Sequence, residues 1–206
     1  MKDELLGQLS APIHWSGDTR ADMIAFLHGH GCPKTAEHCL NVGVKARELA
    51  QKFNVDPARA ELAGWLHDIS APIPNARRVE AAREFGLEIL QEEIQSPMLL
   101  HQKLSVVVAR ELFRVDDEGV LSAIGCHTTL KMGTLPLDRI VFLADKIAWD
   151  QPGTPPYLNN MLDALNRCHS HDAAVKVYID YVWAHRNAQF VPHPWFVDVS
   201  RSMEQT

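Results

Sequence analysis

An all-α fold is what this sequence predicts, and three observations carry that reading. Apolar residues fall at helical spacing in nearly every segment between glycines and prolines. Cap residues or first-turn prolines mark several segment starts. The one β-prone run, Val106 to Val108, lies inside a segment with helical flanks, and no internal repeat is visible.

Taken in order, residues 1–32 form a helical lead. After a Trp- and Gly-containing stretch, "TRADMIAFLHGH" reads as a short helix ending at Gly29 or Gly31. Pro33 sits in a first helical turn, where its missing N–H costs nothing. It opens "AEHCLNVGVKARELAQKF", with Val42, Ala46, Leu49, Ala50 and Phe53 on one face. Asp56-Pro57 is an N-cap and first-turn proline ahead of "ARAELAGWLHD", which Pro72 and Pro74 stop soon after Asp68. Asn75 is expected to cap "ARRVEAAREF", with Gly86 ending it, and Ser96-Pro97 breaks the chain before "LLHQKLSVVVARELF". Asp116 is expected to cap "DEGVLSAIGCHTT", and Pro136 starts "LDRIVFLADKIAW".

The Pro-rich "DQPGTPPY" then divides a core, residues 33–150, from a helical extension over 151–206. The extension holds the amphipathic "LNNMLDALNRC" and "DAAVKVYIDYVWAHRN", while the tail "PHPWFVDVSRSMEQT" reads as extended chain or loop. All three parts are expected to make one compact domain. The extension is placed on the core, where it would serve as packing, lid or homodimer interface.

Composition sets the bounds of function. A chain of 206 residues is long enough to bury a real interior. Its net charge of −6 lacks the basic balance of a nucleic-acid-coating protein, so no nucleic-acid partner is expected. No window approaches the roughly 20 apolar residues of a membrane span. The N-terminus lacks a secretory pattern, so a cytoplasmic, non-membrane protein is expected. Cys32, Cys39, Cys126 and Cys168 form no CxxC pair, which argues against a zinc knuckle or redox motif.

The chemistry centres on the tandem His67-Asp68. With His38, His101, His127 and Asp145 it gives four imidazoles and two carboxylates, mostly at helix ends or on helix faces, a donor set for two metal ions. Imidazole with carboxylate and no thiolate favours octahedral Fe, Mn, Co or Ni over a tetrahedral structural zinc site. Adjacent residues on a regular helix point about 100° apart, so His67 and Asp68 can share a site only near a helix end. Pro72 and Pro74 put an end in the right place. A single His on an amphipathic helix is more often packing than ligand, which is the reading for His14, His28, His30, His169, His171, His185 and His193. "HGHGC" is read as a helix terminus, and Cys39 and Cys126 as small packing residues.

What separates the six from the rest is a resemblance. The series His38, His67-Asp68, His101, His127, Asp145 resembles the HD-domain phosphohydrolase superfamily, in its two-metal branch. The phrases "EHCLNVGVKARELA", "AELAGWLHDIS", "SPMLLHQKLSVVVARELF", "AIGCHTT" and "IVFLADKI" are similar to the bacterial HD hydrolases of diadenosine tetraphosphate, the YqeK group. The resemblance implies an HD-type helical bundle holding two divalent transition ions, iron foremost, with Mn, Co or Ni as alternatives. It assigns His38, His67, Asp68 and Asp145 to one ion, and His101 and His127 to the second with Asp68 bridging. His67 and Asp68 are the catalytic pair, with Asp68 orienting the attacking water. The implied reaction is symmetrical hydrolysis of diadenosine tetraphosphate to two ADP by a hydroxide that the two metals activate.

The chain departs from that group around the site. Thr35, beside Lys34, stands where an Arg is usual, and Ala71 follows the His-Asp pair where a Lys is usual. Gln102-Lys103 replaces Gly-Pro, and "KIAWDQPGTPPY" replaces "YIEPGR". Candidate phosphate contacts are therefore Lys34, Lys103, Thr128, Thr129, Lys131 and Lys146. Two alternatives remain at this level: another HD phosphohydrolase, a nucleotidase or phosphodiesterase with a different phosphoester, and a non-catalytic metal- or nucleotide-binding sensor.

Overall fold

Among residues 2–11, 13–167 and 169–204, which the computed structural model describes, there are twelve α-helices and no strand. Met1, Pro12, Cys168, Gln205 and Thr206 lie outside the described residues, and with them the last residue of "LNNMLDALNRC" and the last two of the tail. The lead contributes α1 (Lys2–Ser10) and α2 (Thr19–Gly29). The core follows as α3 (Pro33–Lys52), α4 (Pro57–Leu66), α5 (Arg78–Glu84), α6 (Gln91–Gln95), α7 (His101–Glu111), α8 (Glu118–Cys126) and α9 (Pro136–Ile147). The extension adds α10 (Leu158–Arg167), α11 (His171–His185) and α12 (Pro194–Glu204). Among the described residues, no helix is long and apolar enough to cross a membrane.

Local chemistry explains the boundaries. Asp56 caps α4 by accepting hydrogen bonds from Ala58 N at 2.9 Å and Arg59 N at 3.2 Å. His30 closes α2 and Gly31 turns the chain with φ +74°, so "HGHGC" is a helix terminus; the His30 ring meets Leu9 O at 2.7 Å. Val106 to Val108 lies within α7.

Three expectations are corrected. Asp117, not Asp116, caps α8, because its Oδ1 reaches Gly119 N at 2.9 Å and Val120 N at 3.1 Å while also pairing with Arg59. Asn75 caps nothing: it opens a 3₁₀ turn over Asn75–Arg77, and α5 starts only at Arg78. The tail is not extended or a loop but the helix α12. Phe196 and Val199 bury one face of it, and Trp183 Nε1 donates to Ser200 Oγ at 2.7 Å.

Packing converges on α3, α4, α8 and α9. α3 runs against α4 and α9, α8 lies between α7 and α9, and α11 covers α9 with α10 and α12 beside it. The closest approach is α3 on α4: a Cβ on Gly64 would lie 2.7 Å from Gly43 Cα and 2.8 Å from Gly43 N. Only two glycines let these backbones touch. That contact sets the spacing of His38, on α3, from His67, which directly follows α4.

Candidate metal centre

Helix ends position most of the six residues. His67 is the C-cap of α4 and Asp68 the next residue of the turn, so the two escape the angular divergence of a regular helix. His127 is the C-cap of α8, and His101 joins a 3₁₀ turn (Pro97–Leu100) to the start of α7. His38 lies in the second turn of α3 and Asp145 near the end of α9.

The side chains meet. His38 Nε2 lies 3.0 Å from Asp145 Oδ1, and His67 Nε2 lies 3.6 Å from both Asp145 Oδ1 and Asp68 Oδ2. On the other side, Asp68 Oδ1 is 3.5 Å from His101 Nε2 and 3.5 Å from His127 Nε2. Two donor groups are compact enough for an ion each: His38, His67 and Asp145, and His67, Asp68 and His127.

Three of the histidines share one device. His67 Nδ1 faces Gly64 O at 2.8 Å, His101 Nδ1 faces Met98 O at 2.5 Å, and His127 Nδ1 faces Ile124 O at 2.8 Å. In each case the carbonyl belongs to the third residue back. A carbonyl only accepts, so every Nδ1 carries a proton, and Nε2 is the ring nitrogen left to face the centre, where a neutral ring offers its lone pair. This outer hydrogen bond fixes tautomer and ring orientation in metal sites. It also leaves His101 Nε2 and His127 Nε2 facing each other at 2.9 Å, and His67 Nε2 buried with no hydrogen-bond partner. His38 Nδ1 is likewise buried without a partner. The opposed lone pairs of His101 and His127 have no cation between them. A divalent ion, which takes neutral imidazole nitrogen and carboxylate oxygen together, fits that deficit.

Electrostatics agree. Burial pushes the pKa of His101 down to about 4 and that of His127 below its ordinary value, so both are neutral near pH 7. Burial alone would raise the Asp68 pKa, but the charge of His67 and the neighbouring His127 and His101 hold its carboxyl far below the usual range. Asp145 is driven the same way, burial being outweighed by the Lys146 ammonium, by the hydrogen bond from His38 and by the charge of His67. For His67, burial is outweighed by the Asp68 charge, and its pKa stands well above normal. In the metal-free protein that proton supplies the positive charge between two carboxylates, and a metal ion would take its place.

The expected phosphate contacts separate into groups. Thr128 Oγ1 lies 2.9 Å from His101 Nε2, at the centre. Lys146 Nζ is buried against it, donating to Asp145 Oδ2 at 2.6 Å and His127 O at 3.1 Å. Lys34 is exposed, one turn ahead of His38 on the same face of α3. Lys103 is held elsewhere, by Glu93 Oε1 at 2.8 Å and Glu88 O at 3.0 Å, with its ammonium over the Trp195 ring. Lys131 lines a cleft on that side with Lys103 and Trp195. The Thr129 hydroxyl is committed to Leu130 O at 2.9 Å.

Two residues at the centre escaped sequence reasoning. Gln102 Oε1 accepts from Thr128 N at 3.2 Å, and its amide donates to Thr129 Oγ1 at 3.0 Å. Arg78 is a buried cation whose charge is felt by Asp68 and His101; it donates to Ile73 O and Met98 O, both at 3.3 Å. Nothing in its spacing distinguishes it from Arg77, which pairs with Glu80 in solvent.

Comparisons with known proteins follow the same outline. A model of the HD domain matches residues 35–150. A Lactococcus lactis subsp. cremoris protein, named only as an uncharacterized protein in the pepC 5' region, is 43% identical over 79% of this chain and 80% of its own. A symmetrical bis(5'-nucleosyl)-tetraphosphatase of Halalkalibacterium halodurans is 33% identical over 62% of this chain and 68% of its own. Among solved structures, a predicted HD superfamily hydrolase involved in NAD metabolism from Clostridium acetobutylicum superposes with TM-score 0.79 at 25% identity, covering 94% of this chain and 99% of that one.

Proposed function

The chain belongs to the HD-domain family, and on that premise we propose that it is a two-metal phosphohydrolase that cleaves diadenosine tetraphosphate symmetrically into two ADP. The observation that carries the metal reading is that a carbonyl takes Nδ1 of His67, His101 and His127 alike, which leaves three Nε2 atoms gathered around Asp68. In this reading His38, His67, Asp68 and Asp145 hold one ion, and Asp68, His101 and His127 the second. Asp68 suits a bridge because its Oδ2 faces His67 while its Oδ1 faces His101 and His127. Iron is the favoured metal.

Bound divalent ions would supply Lewis acidity to phosphoryl oxygens and lower the pKa of water. The protein's own groups do the rest. His67 is fully enclosed, whereas the Asp68 side chain is 29% exposed, so substrate reaches the centre from the Asp68 side and Asp68 is placed to orient the attacking water. Lys146 locks Asp145 in one orientation through its carboxylate oxygen. Thr128 offers a hydroxyl beside His101 for a phosphate oxygen, and Lys34 a cation at the rim. The choice of substrate is supported by the relatives named symmetrical tetraphosphatase.

The test is a product screen over dinucleoside polyphosphates, mononucleotides and cyclic nucleotides with Mn²⁺ or Fe²⁺. ADP as sole product from diadenosine tetraphosphate is expected. AMP with ATP, or turnover of cyclic or mononucleotides alone, would reject the substrate. Protein purified without oxygen should carry stoichiometric transition metal, and its absence would reject the centre.

A further inference from the structure

The carbonyls that orient the three histidines are not equally secured. Gly64 O and Ile124 O belong to the last turns of α4 and α8. Met98 O, which faces His101 Nδ1 at 2.5 Å, has no α-helix behind it. It sits in the four-residue 3₁₀ turn between Ser96 and α7, and Met98 is 56% exposed. The turn after His67-Asp68 is no better supported, because Pro72 and Pro74 flank Ile73 and keep that segment from closing into a helix. Asp68 and the acceptor of the His101 ring therefore depend on two short turns.

Arg78 joins those turns. It is the first residue of α5 and only 9% exposed. Its Nε donates to Ile73 O at 3.3 Å and its Nη1 to Met98 O at 3.3 Å, with Met98 Sδ 3.1 Å from the same Nη1. Among the described residues it makes no ion pair, and Asp68 is the acid whose charge acts on it. Burying a guanidinium without a paired carboxylate is costly, and what this one holds is backbone. Ser70 adds a separate link, donating from Oγ to His101 O at 2.9 Å. That bond fixes the main chain of His101, whereas the ring turns on Met98 O.

We infer that Arg78 is a positioning residue for the second metal ion: its planar fork clamps the Met98 carbonyl against His101 and ties it to the turn that follows Asp68. The inference rests on the two-metal reading proposed above. His38, His67 and Asp145 are carried by α3, the end of α4 and α9, and stand outside the clamp. The fork matters because it presents two nitrogens in one rigid plane to two carbonyls, while an ammonium has a single nitrogen. Charge gives no reason for a guanidinium here, since a cation beside the centre repels a metal ion.

Arg78→Lys separates fork from charge, keeping the second and removing the first. Titration with Mn²⁺, read by electron paramagnetic resonance, distinguishes an isolated ion from a spin-coupled pair. Wild-type protein should bind two ions and develop the coupled signal. In Arg78→Lys the ion at His38, His67, Asp68 and Asp145 should bind with wild-type affinity, which also reports an intact fold. The second should bind about 10–100-fold more weakly, so the isolated signal persists at Mn²⁺ levels that pair the ions in wild type. Coupled pairs forming in the variant at wild-type affinity, or equal weakening of both ions, would overturn the clamp alone. A wild-type protein that binds a single ion would overturn the two-metal reading and the clamp with it.

Discussion

Gly64→Ala tests how the fold makes the centre. The new Cβ would sit 2.7 Å from Gly43 Cα and 2.8 Å from Gly43 N, both backbone atoms that no rotamer change can move. Ordinary contact needs about 3.4 Å, so α4 must shift from α3 by about 0.7 Å. Overpacking of this kind costs about 1–3 kcal/mol. Alanine's better helix propensity returns about 1 kcal/mol, leaving a net loss of up to about 2 kcal/mol. For a chain of this length that lowers Tm by up to about 8 °C. The larger effect falls on metal. Gly64 O is the acceptor that orients His67 Nδ1, and α3 carries His38, so the shift separates two of the ligands proposed for one ion. Metal geometry tolerates only about 0.2 Å, and disturbing an outer partner typically costs about 10–100-fold in affinity. Scanning calorimetry and titration with Mn²⁺ read the two effects. Wild-type Tm together with wild-type Mn²⁺ affinity would refute the claim that the glycine contact sets the ligand spacing.

Three further outcomes follow from the same geometry. Lys146→Met strips Asp145 of its buried partner; urea unfolding of metal-free protein should show a loss of about 3 kcal/mol, which added Mn²⁺ partly restores, and an equal loss with and without metal would count against the shared charge. Gln102→Leu frees the Thr128 N–H to compete for Ile124 O, so Mn²⁺ affinity should drop about tenfold with His127 less firmly oriented; unchanged affinity would dismiss Gln102. For pH, burial holds His101 at about 4 against about 6.5 unfolded. As pH falls from about 6.5 to about 4 the unfolded chain takes up this proton first, so metal-free protein loses stability across that window. His101→Gln, measured by urea titration at each pH, should show a shallower loss, and a parallel curve would contradict the shift.

Helix starts were legible because their signals are local. Asp56-Pro57, Pro33 and Pro136 each act within a turn of the helix they open. The Asp116/Asp117 choice was not local: both residues suit a cap, and the decision involves Arg59, 58 residues away, which pairs with Asp117. The tail misled for a related reason. Pro192 and Pro194 suggest extended chain, yet a proline in the first turn also opens a helix, and Phe196 with Val199 bury against α11 only once α11 is in place. At the centre, imidazole and carboxylate types are read directly from the chain. The lysines are not, because a lysine's availability depends on distant acids. Lys103 is consumed by Glu93 and Lys146 by Asp145, pairings that only the packed bundle creates.

The placement of the histidines at helix boundaries has a physical reason. Within a helix the carbonyl of residue i−3 is shielded by the backbone ladder, but the last four carbonyls have no intrahelical partner. Gly64 O and Ile124 O are such orphans at the ends of α4 and α8, and His67 and His127 take them with Nδ1. At α8 the release is active, because the Thr128 N–H turns to Gln102 and so leaves Ile124 O to the histidine. A ligand histidine moved one turn inward would lose this acceptor, and with it the defined tautomer. The helix end thus does two tasks at once: its unsatisfied carbonyl is capped, and Nε2 is left as the one ring nitrogen directed at the carboxylates. A cation is what makes that arrangement favourable, and the tight α3–α4 contact at Gly43 and Gly64 keeps the rings from relaxing apart when it is absent.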